Sequence, residues 1–258
     1  MLIASVQSRI GQEIAENLSS ARNLLLEATN EGAIIACLPE YFSFPRMDNV
    51  TIELVEEVRS ETITFLETIS TETSSVVVGG TIPEASDSGY RNVCYIFDSG
   101  KNVACIEKEK VTIGERRLGI VPGTRKDIFK VDGVAATARI CADILFPETC
   151  FDLRNKINLL FVPLISPVRE KDPTRTRRDC LFIVRAFDAN CYVIKAGAVG
   201  AAPLTGHSIA GRSLITAPHG VLAKSPSENK ELVLIEDLDF DALSDYDIIT
   251  EMFPGEDR

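Results

Sequence analysis

Histidine is scarce, with two residues in 258. His207 and His219 have no cysteine at close spacing, so no zinc site and no metal cofactor is expected. There is no glycine-rich phosphate loop ending in Lys-Ser or Lys-Thr, and no Gly-x-Gly-x-x-Gly follows a strand, so no nucleotide cofactor is expected either. Positive charge is also short, since 27 Lys and Arg stand against 38 Asp and Glu for a net −11. Nucleic-acid affinity comes from basic side chains neutralising phosphates, so an acidic chain excludes that partner and disfavours an anionic membrane surface. No run approaches the roughly 18 apolar residues that span a bilayer, and the N-terminus lacks the basic segment and apolar stretch of a signal peptide. The seven cysteines are an odd number scattered through apolar runs, which is not a disulfide framework. The expectation is a cytoplasmic protein with reduced thiols and no nucleic-acid or membrane partner.

What is present is ordinary globular material, 45 % hydrophobic and 25 % charged, which excludes wholesale disorder. Leu2 to Val6 reads as a strand, and Ile14, Leu18, Ala21, Leu24, Leu25 and Ala28 recur at helical spacing. Gly32 ends that helix, and Ala33 to Leu38 is a continuous apolar run, as in a strand buried on both faces. The unit repeats with a helix over Ile52 to Ser70 and a strand at Val76 to Val78. Residues 93–97 and 102–106 then flank Asp98-Ser99-Gly100-Lys101 as a hairpin. Strands are expected at Asp127 to Val131, Ala135 to Cys141, Leu159 to Leu164, Cys191 to Ala196, Ser208 to Ile215 and Leu232 to Ile235. Helices are expected from Phe146 to about Lys156 and over Arg175 to Ala189. No linker or low-complexity tract divides the chain, so residues 1–258 read as one α/β domain with parallel or mixed sheets.

Three strand ends carry reactive groups. Leu38-Pro39-Glu40-Tyr41-Phe42 sets a carboxylate beside two aromatics, where an apolar setting would raise its pKa and suit it to act as a base; the competing reading is a solvated loop glutamate. Ile140-Cys141-Ala142-Asp143 sets a thiol before a helix start, with the Ala142 backbone N–H available to an oxyanion; the competing reading is an inert buried cysteine. Ile106-Glu107-Lys108-Glu109-Lys110 puts Lys108 and Lys110 on one face, either as a fixed cation or as a charged edge strand. In open α/β sheets, sites lie beyond strand ends.

In this order the three motifs resemble the nitrilase or carbon-nitrogen hydrolase superfamily. The resemblance extends over nearly the whole chain, including Val121-Pro122-Gly123, Phe146-Pro147-Glu148, Arg185-Ala186-Phe187-Asp188-Ala189-Asn190 and Gly206 to Gly220. It implies a four-layer α-β-β-α sandwich that forms homodimers or higher homo-oligomers. Glu40 would be the general base, Lys108 the cation stabilising a tetrahedral intermediate, Cys141 the nucleophile and Glu115 a supporting carboxylate. The implied activity is hydrolysis of a small amide, ω-amide or N-carbamoyl compound through a thioester. The chain departs from the family pattern at Ala142, Lys110 and Asp188. Tyr41 and Arg175 are candidate substrate contacts. Arg175 belongs to a cluster with Arg169, Arg177 and Arg178 that either clamps a substrate carboxylate or forms a solvated helix start or dimer contact. The competing functions are a catalytically silent scaffold of the same fold and a nitrile hydrolase.

Overall fold

The computed structural model describes residues 1–46, 51–168, 175–203 and 205–252. Two mixed sheets lie face to face. In the first, the strand order is Leu232–Asp237, Leu2–Gln7, Ile35–Cys37, Val76–Val78, Gly89–Asp98 and Ile82–Ser86, with Lys101–Glu107 also pairing with Gly89–Asp98. The second runs Gly220–Lys224, Leu214–Ala217, Tyr192–Gly197, Leu159–Leu164, Val134–Ala138 and Phe129–Val131.

Alternation of side chains along each strand sends one set of residues between the sheets and the other outward to helices. Ile3, Ile35, Cys37, Val78, Cys94 and Ile96 of the first sheet meet Ala136, Ala138, Phe161, Ile194 and Ile215 of the second. Outside the first sheet, helices α1 (Ile14–Asn30) and α2 (Ile52–Thr73) bury Leu25, Ala28, Leu66 and Ile69 against Ala36, Leu38 and Val77. A five-residue helix, α3 (Ile113–Arg117), follows the Lys108 segment. Outside the second sheet, α4 (Glu148–Phe151) and α5 (Arg175–Ala189) bury Cys150, Phe182 and Ala186 against Leu160, Val162 and Val193. The result is the four-layer α-β-β-α sandwich.

Several boundaries differ from the sequence expectation. The helix opened by Pro147 closes at Phe151 and continues as turns. Ser208 to Ile215 divides into two strands in different sheets, Ser208–Ile209 and Leu214–Ala217, because Ser208–Ile209 pairs with Val199–Ala201 beside Arg9–Ile10. Ile82–Ser86, which lacks a clean apolar alternation, becomes a strand through pairing with Gly89–Asp98. Among the described residues, no helix is long and apolar enough to cross a membrane, and no cluster of metal-ligating side chains occurs.

Candidate active site

The strand Lys101–Glu107 directs Ala104 and Ile106 between the sheets, and the next residue in that alternation is Lys108. Its side chain is 1 % exposed. The strand stops at Glu107, so Lys110 no longer shares that face; its ammonium sits at the surface with Glu109 and Glu148. Lys108, and not Lys110, reaches the buried carboxylates.

Glu40 follows the strand Ile35–Cys37 and forms a parallel bridge with Thr81. The backbone behind it is tight: a Cβ at Gly80, whose φ is +56°, would stand 2.1 Å from the Pro39 carbonyl oxygen. Tyr41, at φ 55°, turns the chain away immediately afterwards. Cys141 likewise occupies the left-handed region, at φ 48°, after the strand Val134–Ala138 and at the start of the 3₁₀ turn Cys141–Leu145. Non-glycine residues there cost on the order of 1–3 kcal/mol, and such strain concentrates at functional sites. Two strained turns set the Glu40 carboxylate and the Cys141 thiol close to each other.

The Lys108 ammonium donates to Glu40 Oε1 at 2.8 Å and to Glu115 Oε1 at 2.6 Å. Glu40 is buried, and burial raises its pKa, with Lys108 opposing and Glu115 reinforcing the rise. Its Oε1 also accepts from Asn92 Nδ2 at 3.0 Å, and its Oε2 accepts from the Ile165 backbone N–H at 3.2 Å. Glu115 has the opposite fate. Burial works against its charge, but Lys108 and Thr112 outweigh this and hold its pKa below the usual carboxylate range. Thr112 closes a capping box at the start of α3, its N–H and hydroxyl donating to Glu115 Oε2 at 2.9 and 2.8 Å. The Tyr41 hydroxyl donates to Glu115 Oε1 at 3.1 Å. Lys108 stays charged: burial opposes this, and Cys141, Glu40 and Glu115 together raise its pKa above the ordinary lysine value. Burial, then Glu40, pushes the Cys141 thiol well above its normal range, with Lys108 pulling the other way. The resting sulfur is therefore a thiol within reach of a carboxylate. It lies 3.9 Å from the Ile165 carbonyl oxygen.

A cavity of about 160 Å³ opens onto these groups, walled by Leu118, Ile165, Pro167 and Ala202. Ala142, the residue after Cys141, is buried in the same turn. The structure thus brings together Glu40, Lys108, Glu115 and Cys141, and puts Tyr41 behind Glu115 as well as at the cavity wall. Arg169 lies outside the described residues, as do the side chains of Arg175 and Arg177. Sequence reading missed Asn92. Its only signal there is an asparagine in a strand, where asparagine is depleted, at a position in phase with the inward-facing Cys94 and Ile96.

Known proteins resemble this chain in sequence and in fold. An omega-amidase from Xenopus tropicalis is 28 % identical over 263 residues, covering 98 % of this chain and 92 % of that protein. A 2-oxoglutaramate amidase from Bacillus subtilis (strain 168) is 27 % identical over 222 residues, covering 83 % and 82 %. Among solved structures, a variant of the amidase from Nesterenkonia sp. AN1, with acrylamide added at its active-site cysteine, superposes with a TM-score of 0.79 at 22 % identity over 95 % of this chain and 96 % of that one. Saccharomyces cerevisiae Nit3 superposes at 0.81 and 20 % identity, over 100 % and 96 %. The profile of carbon-nitrogen hydrolases matches residues 2–247; the chain belongs to the carbon-nitrogen hydrolase family.

Proposed function

We propose that the protein hydrolyses the C–N bond of a small carboxamide through a thioester on Cys141. The observation that carries this reading is the split between two carboxylates on one ammonium: Glu115 is held ionised while Glu40 is pushed towards protonation beside a thiol. Titratable pairs whose environments separate their pKa values mark the acid–base partners.

Glu40 takes the Cys141 proton as sulfur bonds to the amide carbon, and the carbonyl oxygen becomes an oxyanion facing the Lys108 ammonium and the Ala142 N–H. Collapse of the tetrahedral intermediate breaks the C–N bond, with Glu40 returning the proton to the leaving nitrogen. Water then attacks the thioester, Glu40 accepts its proton, and the acid leaves as the thiol is restored. Glu115 takes no proton; it fixes Lys108. Tyr41 supports Glu115 and contributes wall rather than a polar substrate contact.

A cavity of about 160 Å³ admits a compact acyl group. The omega-amidase and 2-oxoglutaramate amidase relatives favour an ω-amide of a short dicarboxylic acid. Arg175, close in sequence after the wall residue Pro167, is the candidate partner for its free carboxylate. Residues 1–258 serve as one catalytic domain, working as a homodimer in the reducing cytoplasm; support for the dimer comes from Val184 and Phe187, 48 % and 37 % exposed on α5.

Ammonia release from a panel of short aliphatic amides, ω-amides and N-carbamoyl amino acids tests the assignment. Cys141→Ala is expected to abolish turnover of every substrate that the wild type hydrolyses. Retained turnover in that variant would overturn the mechanism, and a silent wild type across the panel would favour a scaffold.

A further inference from the structure

Asn92 lies in the strand Gly89–Asp98, between Ile82–Ser86 and Lys101–Glu107, and is fully buried. Its backbone oxygen accepts the Lys108 N–H at 2.9 Å, while its side-chain Nδ2 donates to Glu40 Oε1 at 3.0 Å. One residue therefore ties the main chain carrying the cation to the carboxylate of the base. Its Oδ1 is buried without a hydrogen-bond partner. A buried carbonyl left unpaired costs free energy, so the side chain is a poor device for stability alone. The reverse orientation of the amide would turn Oδ1 against the Glu40 carboxylate, so with Glu40 ionised the amide presents its donor.

We infer that Asn92 is a positioning residue for Glu40: it holds one carboxylate oxygen beside Lys108, leaves the other towards Cys141, and favours the ionised form that accepts the thiol proton. This rests on the assignment of Glu40 as base. The titratable groups facing Glu40 include Lys108 just after its strand, Glu115 from α3, Cys141 from the 3₁₀ turn and Tyr41 next to it in the chain. Lys108 lowers its pKa, and burial and Glu115 raise it. Asn92 adds a neutral donor on the side that stabilises charge.

The test is the pH dependence of iodoacetamide alkylation at Cys141, read by peptide mass spectrometry so that other thiols do not interfere, alongside kcat/KM on any amide the wild type turns over. Asn92→Leu keeps the size and the backbone bond to Lys108 but removes the donor. Its acid limb is expected to move up by about one pH unit, with rates about tenfold lower below the limb and recovering above it. Asn92→Asp, closer still in shape, places a second carboxylate against Glu40 and is expected to move the limb further in the same direction. An unmoved limb in the folded variants, or a loss of equal factor at every pH, would overturn the proposal. Wild-type alkylation at Cys141 without an acid limb would instead remove Glu40 as base, and the positioning role with it.

Discussion

Glu40 and Glu115 share one ammonium but differ in what else they touch. Glu115 collects four donors, from Lys108, Tyr41 and two on Thr112, whereas Glu40 collects three, from Lys108, Asn92 and the Ile165 N–H, and is the more deeply buried of the two. Burial outweighs the partners of Glu40 and raises its pKa, whereas Lys108 and Thr112 outweigh burial at Glu115 and hold that carboxylate ionised. The Glu115→Gln variant tests this division. Removing the Glu115 charge removes one of the effects that raise Glu40, so the acid limb of kcat/KM is expected to move to lower pH, opposite to the Asn92 variants. Its plateau should fall by about 100-fold or more, because Lys108 loses its anchor facing the oxyanion. A plateau within threefold of wild type would deny Glu115 that role. At this scale the sequence shows Glu40, Cys141 and Lys108 as members of motifs. It gives no sign that Tyr41 reaches Glu115, since a hydroxyl's partner depends on a segment 74 residues away.

At the scale of elements, the strand Tyr192–Gly197 carries an unusual burden. Lys195 is 1 % exposed, donates to the Arg212 carbonyl oxygen at 2.6 Å and lies over the Phe182 ring. Burial, followed by Arg178 and Arg212, lowers its pKa from 10.5 to about 7. A folded value below the unfolded one means that the unfolded chain binds the extra proton between these limits. Stability should therefore rise with pH from about 7 towards 10.5, and the cost should be fully present below 7. Lys195→Met is expected to raise stability at pH 7 by about 1–3 kcal/mol and to flatten that rise, as read from urea melts at several pH values. Equal or lower stability with the slope intact would refute the account. The continuous apolar run of this strand, buried on both faces, located it, and α5 was located beside it, burying Phe182, Ala186 and Ala189. The local pattern missed Ile82–Ser86 and joined Ser208–Ile209 to the strand that follows, because both short strands are defined by the strands they pair with rather than by their own pattern.

For the whole molecule, the outer surface of α5 is the question. Val184 and Phe187 are exposed on the layer outside the second sheet, and a second copy covering them would bury apolar surface that an isolated chain leaves in water. Light scattering at micromolar concentration is expected to give twice the chain mass, and Val184→Glu combined with Phe187→Glu to give the single chain mass. A wild type of single mass would exclude this assembly, and a doubly substituted protein that stays dimeric would move the interface elsewhere. With a net charge of −11, such association relies on local apolar burial rather than on general attraction between copies.

The sequence by itself determined the α/β class, because hydrophobic period distinguishes strands from amphipathic helices locally, and it placed a carboxylate, a lysine and a thiol at three strand ends; the four layers were implied by the family resemblance. Tertiary structure alone showed that Lys108 is buried while Lys110 stays at the surface, that burial and neighbours push Glu40 and Glu115 in opposite directions, and that Asn92 joins two of the three segments. These depend on where strands stop and what packs opposite them. A pKa depends on desolvation and on charges brought close by the two sheets meeting, and no short-range pattern in the chain encodes that proximity.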